Sequence, residues 1–264
     1  MSDFDRNVAA GPFNRTLPRA DAQAIDQGLR AYMLQIYNYM AIGLAITGLA
    51  ALGIYMLSVT TNPAEAVATI RGGIKLTSFG VLMFTTPLKW VFALLPLAFV
   101  LVLSFGIERV RPATAQLLFW LFSLAMGISL STIFLVYTHD SIVRVFFITA
   151  ASFGALSLYG YTTQRDLSAM GSFLIMGVIG LVIASLVNIF LASSMMQFII
   201  SVLGVLIFAG LTAYDTQRLK SEYVYGRMEG DVAARASIMG ALSLYLNFIN
   251  LFTFLLQLFG NRNN

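Results

Sequence analysis

Long apolar segments alternate with short polar ones along most of the chain, after a polar start. Crossing the hydrocarbon of a membrane takes roughly 20 apolar residues in a helix. Seven segments reach about that length: 32–57, 89–107, 113–137, 141–162, 169–192, 195–215 and 236–259. A further stretch, 76–85, is too short to span and is expected to lie on the membrane surface or to dip into it. The pattern predicts an all-α polytopic membrane protein with seven transmembrane helices.

The composition agrees with this pattern. Hydrophobic residues make up 58% of the chain and charged residues 11%, with a mean hydropathy of +0.81, whereas soluble domains carry about 25% charged residues. The net charge of +4 is spread out, without the dense basic block that indicates a nucleic-acid partner. Residues 1–31 are polar and lack the apolar core of a signal peptide. We therefore expect a polar tail over 1–31 and a transmembrane domain over 32–264.

The distribution of Lys and Arg predicts the orientation, because cytoplasmic loops carry the excess of these residues. With seven spans, one side holds eleven of them: Arg6, Arg15, Arg19, Arg30, Arg109, Arg111, Arg165, Arg218, Lys220, Arg227 and Arg235. The other side holds five: Arg71, Lys75, Lys89, Arg144 and Arg262. This asymmetry predicts a cytoplasmic N-terminus and a C-terminus outside. The first six spans can also be grouped as two triplets, which in transporters are often inverted repeats.

The sixth apolar segment meets a carboxylate, Asp215, before it reaches Arg218 and Lys220. We expect the helix to end there, where its partial negative charge opposes an acid. A compensating cation is then needed, and Arg109 and Arg111, at the end of the second segment, have the right depth. The alternative is that Asp215 reaches the membrane surface and is solvated by water.

The seventh segment carries a polar stripe. Ser243, Asn247, Asn250 and Gln257 follow one another at four, three and seven residues, which places them on one face of a helix. Such a stripe either hydrogen-bonds to neighbouring helices, the commoner case, or lines a polar path.

Enzyme chemistry fits this sequence poorly. His139 is the single histidine and lies between two apolar segments, and there is no cysteine, so histidine or thiolate metal sites and nucleophilic dyads lack their residues. The G-x-G-D motif of intramembrane aspartyl proteases is absent, and residues 236–259 contain no lysine for a retinal Schiff base. We expect no enzymatic activity and no resident cofactor.

Three stretches together resemble one known family: "YGYTTQRDLSAMGSFLIMGVIGLVIASLVNIF" (159–190), "TAYDTQRLK" (212–220) and "GALSLYLNFINLFTFLLQLFG" (240–260). They are similar to the transmembrane Bax inhibitor motif family, the Bax inhibitor-1 and bacterial YccA-like proteins. The resemblance covers the chain after its N-terminal tail. It implies seven helices, with two three-helix halves around a central C-terminal helix, in a protein of the bacterial inner membrane.

The resemblance also implies a pH-sensitive leak of cations, chiefly calcium. In this family an aspartate of the sixth helix pairs with one of the seventh, and an arginine at the end of the second helix acts as a latch. These roles fall on Asp215, as proton sensor and transient Ca²⁺ ligand, and on Arg109. Ser243, Asn250 and Gln257 would then line the pore.

The chain departs from the family pattern at the second acid. Where the family usually has "LYLDFINLF", this sequence has "LYLNFINLF", so that Asn247 replaces an aspartate; Gln257 stands where an arginine is common. Two close carboxyls share a proton, because both cannot ionise cheaply. An amide can donate a hydrogen bond but cannot ionise. We expect the pH response to move to lower pH or to weaken, and Ca²⁺ to bind less well.

Two other functions remain open. The chain could be a non-conducting adaptor that regulates another membrane protein, since bacterial relatives are associated with control of a membrane protease. It could also be a proton-coupled transporter. The expected partners are therefore calcium or other cations, the lipid bilayer and a membrane protein.

Overall fold

The computed structural model describes residues 19–106, 110–226 and 230–263. Helices dominate these ranges: α1 Arg19–Ser58, α2 Ser78–Phe84, α3 Leu88–Gly106, α4 Pro112–Leu130, α5 Ile133–Val136, α6 His139–Thr162, α7 Ser168–Leu191, α8 Ser194–Gly226 and α9 Gly230–Phe259. The connection between α1 and α2 contains 3-10 turns at Pro63–Glu65 and Arg71–Gly73 and two short antiparallel strands, β1 Ala68–Thr69 and β2 Lys75–Leu76. The all-α prediction is confirmed.

Six helical segments in the described ranges are long and apolar enough to cross a membrane: Gln27–Ser58, Pro112–Val136, His139–Thr162, Ser168–Leu191, Ser194–Val224 and Gly230–Phe259. A seventh arises if α2 and α3 form one broken span, since they meet at a bend of 62°. The protein is therefore a polytopic membrane protein with six or seven spans. The short stretch predicted at 76–85 is the helix α2.

The sixth predicted segment does not end at Asp215, because α8 continues for eleven more residues to Gly226. Tertiary contacts hold this extension: Gln217 Nε2 donates to the Arg165 carbonyl at 2.7 Å, and Lys220 Nζ donates to the Tyr161 carbonyl at 2.9 Å. Asp215 therefore lies inside a helix. The expected conflict with the negative helix end is wrong, since that effect is confined to the last turn.

Other helix ends also lie beyond the apolar segments. α1 begins at Arg19 and α9 at Gly230, while the third predicted segment is divided into α4 and α5. Hydropathy marks the part of a helix that crosses lipid, and a helix can continue into the polar region on either side. Because α1 begins at Arg19, it includes part of the predicted tail.

The last helix, α9, forms the core of the bundle. It packs against α1, α4, α6 and α8, and 67% of its span residues are buried, against 17–33% in the other candidate spans. Tyr245 is fully buried on α9, and its hydroxyl hydrogen-bonds Thr47 Oγ1 of α1 at 2.6 Å. The outer helices instead expose large apolar side chains such as Phe173 and Phe190 of α7. Lipid is the solvent that such a surface requires.

Candidate functional site

Asp215 is buried where α8 packs against α9, with 6% of its surface exposed. Its Oδ2 atom accepts hydrogen bonds from Asn247 Nδ2 at 2.7 Å and from Ser243 Oγ at 2.9 Å. Ser243 and Asn247 are four residues apart, so both reach the carboxylate from one face of α9. The structure thus brings together three of the predicted site residues.

Within the described part of the chain, the cation that contacts Asp215 belongs to the same helix. Arg218 Nη2 lies 3.0 Å from Asp215 Oδ1 and 3.4 Å from Ser243 Oγ, and Arg218 Nε lies 3.8 Å from Glu222 Oε1. The sequence interpretation chose Arg109 and Arg111 as the candidate cations and missed this contact with Arg218. The signal was present, because residues three apart on a helix are neighbours. Arg109, the predicted latch, lies outside the described residues.

A cavity of about 310 Å³ reaches this network between α3, α8 and α9. Arg218 and Ser243 line it, together with Glu222 and with Val100 and Ser104 of α3. Its size and its polar groups suit several water molecules. The cavity therefore adjoins Arg218 and Ser243, two of the side chains that contact Asp215.

The rest of the predicted stripe lies elsewhere. Asn250 Nδ2 donates to the Leu246 carbonyl of its own helix at 2.8 Å. Gln257 Oε1 accepts hydrogen bonds from Gln197 Nε2 and Ser201 Oγ of α8, both at 2.8 Å. The stripe is thus divided between the Asp215 network and a second link between α8 and α9, and the pore-lining role of Asn250 and Gln257 stays a prediction.

A chain of hydroxyl groups runs behind Asp215 and was not predicted. Thr216 Oγ1 lies 3.0 Å from Ser157 Oγ of α6, which is hydrogen-bonded in turn to the Tyr37 hydroxyl of α1. Isolated Ser and Thr residues in apolar helices were the signal that could have indicated it. These bonds join three helices next to the acid.

The match to known proteins extends over the whole helical bundle. Residues 29–264 match the family described as "Inhibitor of apoptosis-promoting Bax1". The chain belongs to this family. The resemblance found in the three sequence stretches is confirmed.

Bacterial members of this Bax inhibitor family match along nearly their full length. An uncharacterized protein of Caulobacter vibrioides is 47% identical over 98% of both chains. The protein RP147 of Rickettsia prowazekii is 43% identical over the full length of both. The inner membrane protein YbhL of Escherichia coli is 42% identical over 93% of this chain and 98% of YbhL.

Among the described residues of this Bax inhibitor family member, Asp215 is one carboxylate surrounded by two neutral donors and one guanidinium. The described residues include no group of three or more His, Asp or Glu side chains placed to hold a metal ion. Ca²⁺ takes six to eight oxygen ligands and prefers carboxylates. The role of Asp215 as a transient Ca²⁺ ligand stays a prediction.

Proposed function

We propose that this protein is a pH-sensitive cation leak of the inner membrane, with calcium as its main ion and Asp215 as its proton sensor. The observation that carries the proposal is a buried carboxylate that links two helices by hydrogen bonds. It lies beside a cavity large enough for several water molecules. An ionisable residue inside a membrane bundle is by default a functional candidate. The inner membrane is proposed because the relative YbhL is an inner membrane protein.

The proposed gate depends on the charge of Asp215. While the carboxylate is ionised, it accepts from Asn247 and Ser243 and pairs with Arg218. Hydrogen bonds to a charged group contribute about 1.5–3 kcal/mol, against about 0.5–1.5 kcal/mol for neutral ones. Protonation therefore weakens the link between α8 and α9 and releases Arg218 towards Glu222. We expect flux to rise as the pH falls.

The finer architecture belongs to the same proposal. The bent pair α2 and α3 is taken as one span, which gives seven spans, with α1 to α5 and α6 to α8 as two halves around α9. The N-terminus is then cytoplasmic and the C-terminus outside, and the Asp215 cavity opens to the cytoplasm. Arg109, which follows α3 in the sequence and lies outside the described residues, would join Asp215 as a second cation in another state of the gate.

The test is Ca²⁺ entry into liposomes that contain only the purified protein, measured from pH 5 to pH 8. Asp215→Asn keeps the shape and removes the titration, so its flux should no longer depend on pH. Asp166→Asn is the control: hydrogen bonds from Ser168 hold the pKa of this exposed loop acid below its usual range, so Asp166 stays charged throughout. Equal pH dependence in the wild type and in Asp215→Asn would reject Asp215 as the sensor.

The same experiment separates the second candidate, a non-conducting adaptor for another membrane protein. This alternative is supported by the replacement of the second acid by Asn247 and by the three described partners, Asn247, Ser243 and Arg218, that already surround Asp215. An adaptor gives no flux in pure liposomes at any pH, although the protein is folded. A transporter would instead show saturation and counter-flow.

A further inference from the structure

A groove of about 550 Å³ runs along the outside of the bundle between α1 and α6. Its walls are mostly apolar, with Met33, Leu34 and Met40 on α1 and Phe153 and Leu158 on α6. Both walls belong to candidate membrane spans, and Leu34 and Leu158 are 52% and 63% exposed. The groove therefore opens sideways to the lipid tails.

One end of this groove is cationic. Arg30 and Tyr161 line it, and Lys220 Nζ lies 5.1 Å from the centre of the Tyr161 ring. Stacking of Tyr32 on Tyr223, with ring centroids 4.9 Å apart, places the start of α1 beside the end of α8 that carries Lys220. No acidic residue is among the described side chains that line the groove. An anionic head group with an apolar tail matches this distribution of charge.

The end of the groove away from Arg30 and Tyr161 leaves room for a chain. Gly154 lies on the α6 wall there, and a Cβ atom added to it would meet nothing within 4 Å. The hydrogen-bonded pair of Tyr37 and Ser157 forms part of the wall between Gly154 and the cationic end. The open space at Gly154 and the volume of the groove suit a hydrocarbon tail that extends from the cationic end.

We propose that this groove binds one acyl chain of an anionic phospholipid, with the phosphate held at Arg30 and Lys220. Basic residues near a membrane surface favour anionic lipids by an amount that corresponds to roughly a five-fold change in affinity per residue. The tail supplies apolar contact along α1 and α6, and the two cations supply the preference for net negative charge. Neutral phospholipid would enter the groove more weakly.

Native mass spectrometry of the full-length protein in detergent tests this, with phosphatidylglycerol titrated against phosphatidylcholine of the same chains. The wild type should retain one phosphatidylglycerol in preference. Arg30→Gln should lose roughly five-fold of that preference. Gly154→Leu should reduce retention of both lipids, because its side chain fills the groove. Excess inorganic phosphate should not displace the lipid, since it lacks the tail.

Two matched variants control for folding and for general charge. Arg111→Gln removes an exposed arginine at the start of α4, outside the groove. Gly53→Leu adds the same side chain at another open position, on α1. Both should retain lipid as the wild type does, with unchanged unfolding temperatures. Equal retention of the two lipids by the wild type would mean ordinary lipid contact only and would overturn the proposal. Loss of lipid in the control variants, or displacement by phosphate alone, would also overturn it.

Discussion

The Asp215 carboxylate accepts from an amide and a hydroxyl of α9 and faces a guanidinium of α8. All three donors are used when the carboxylate is ionised. A protonated carboxyl keeps one acceptor oxygen and gains an O–H donor; the Ser243 hydroxyl can accept from it, whereas Asn247 can accept only if its amide turns to present Oδ1. Proton uptake therefore adds a donor among side chains that all donate to Asp215 when it is ionised, and it also removes one charge.

Restoring the second acid with Asn247→Asp should move the pH response towards neutrality. The new carboxylate would lie at the position of an amide that is now 2.7 Å from Asp215, and two such groups cannot both ionise cheaply. Flux from pH 5 to pH 8 measures the shift. Asn250→Asp is the control, because Asn250 bonds to its own helix. Identical profiles for Asn247→Asp and the wild type would remove this explanation.

Arg218→Gln should destabilise the protein at pH 8 by about 1 kcal/mol, since the guanidinium is partly solvent-screened. Arg218 contributes to the free energy of unfolding while Asp215 is ionised. This contribution disappears when Asp215 becomes protonated at lower pH. Thermal unfolding in detergent at pH 8 and pH 5 measures the difference. In a protein that already carries Asp215→Asn, the Arg218→Gln substitution should lower the free energy of unfolding only slightly. A cost that is the same with and without Asp215 would show that Arg218 acts through other contacts.

The sequence predicted part of this site for a physical reason. Asp215, Ser243 and Asn247 stood out because polar residues are costly in apolar helices, and helical spacing placed the last two on one face. The contact of Arg218 with Asp215 was missed because the partner of Asp215 was sought at the end of another apolar segment at the same depth in the membrane. The hydroxyl chain from Thr216 through Ser157 to Tyr37 joins residues distant in sequence, which spacing along one helix cannot reveal.

The approach of α6 to α8 depends on Gly160, which lies against the Ala213 backbone. A Cβ atom added at Gly160 would come within 2.2 Å of the Ala213 carbonyl oxygen, whereas the same atom at Gly154 would meet nothing. Small residues at such positions let membrane helices approach closely. The contact lies two residues from Asp215, so it also fixes the height of the acid within the bundle.

Gly160→Ala should therefore lower stability by about 1–3 kcal/mol, because backbone must move to relieve the overlap. Gly154→Ala, on the same helix, should be neutral or stabilising by up to about 1 kcal/mol, because alanine favours the helix. Thermal unfolding of both variants in one detergent checks the pair. If the two variants unfold at the same temperature, α6 does not pack on α8 as described.

The elements themselves were predictable to different degrees. Apolar length located the crossing segments, since lipid imposes that length directly. The continuation of α8 to Gly226 was missed because the residues after Asp215 are polar. They are held by a hydrogen bond from Lys220 to α6 and by one from Gln217 to Arg165 in the connection after α6. The bend between α2 and α3 could not be predicted either, because a hydropathy pattern contains no information on the angle between two helices.

At the scale of the whole molecule, the absence of cysteine makes the seven-span proposal testable. Ala64 and Gln164 are both exposed and lie in the connections after α1 and after α6. Single variants Ala64→Cys and Gln164→Cys should react oppositely with a membrane-impermeant maleimide applied to intact cells: Ala64→Cys labelled, Gln164→Cys protected. Detergent should expose both, which controls for reactivity.

Between Ala64 and Gln164 the chain contains three units: α2 with α3, α4 with α5, and α6. If the bent pair α2 and α3 crosses the membrane, the chain crosses three times between the two positions, which then lie on opposite sides. If it does not, both positions lie on one side and label alike, and the count is six. Labelling of Gln164→Cys alone would reverse the proposed orientation.

α8 is one unbroken helix of 33 residues, about 50 Å long. α9 is hydrogen-bonded to α8 at two places: Gln257 accepts from Ser201, and Asn247 donates to Asp215. The two contacts are about 21 Å apart along the axis of α8. Because α8 is one continuous helix, weakening one contact is expected to affect the other. If Asp215 is the proton sensor that we propose, proton uptake there should also alter the contact of Gln257 with Ser201, about 21 Å away along α8. Such coupling along one helix would not require an ion to cross the bilayer.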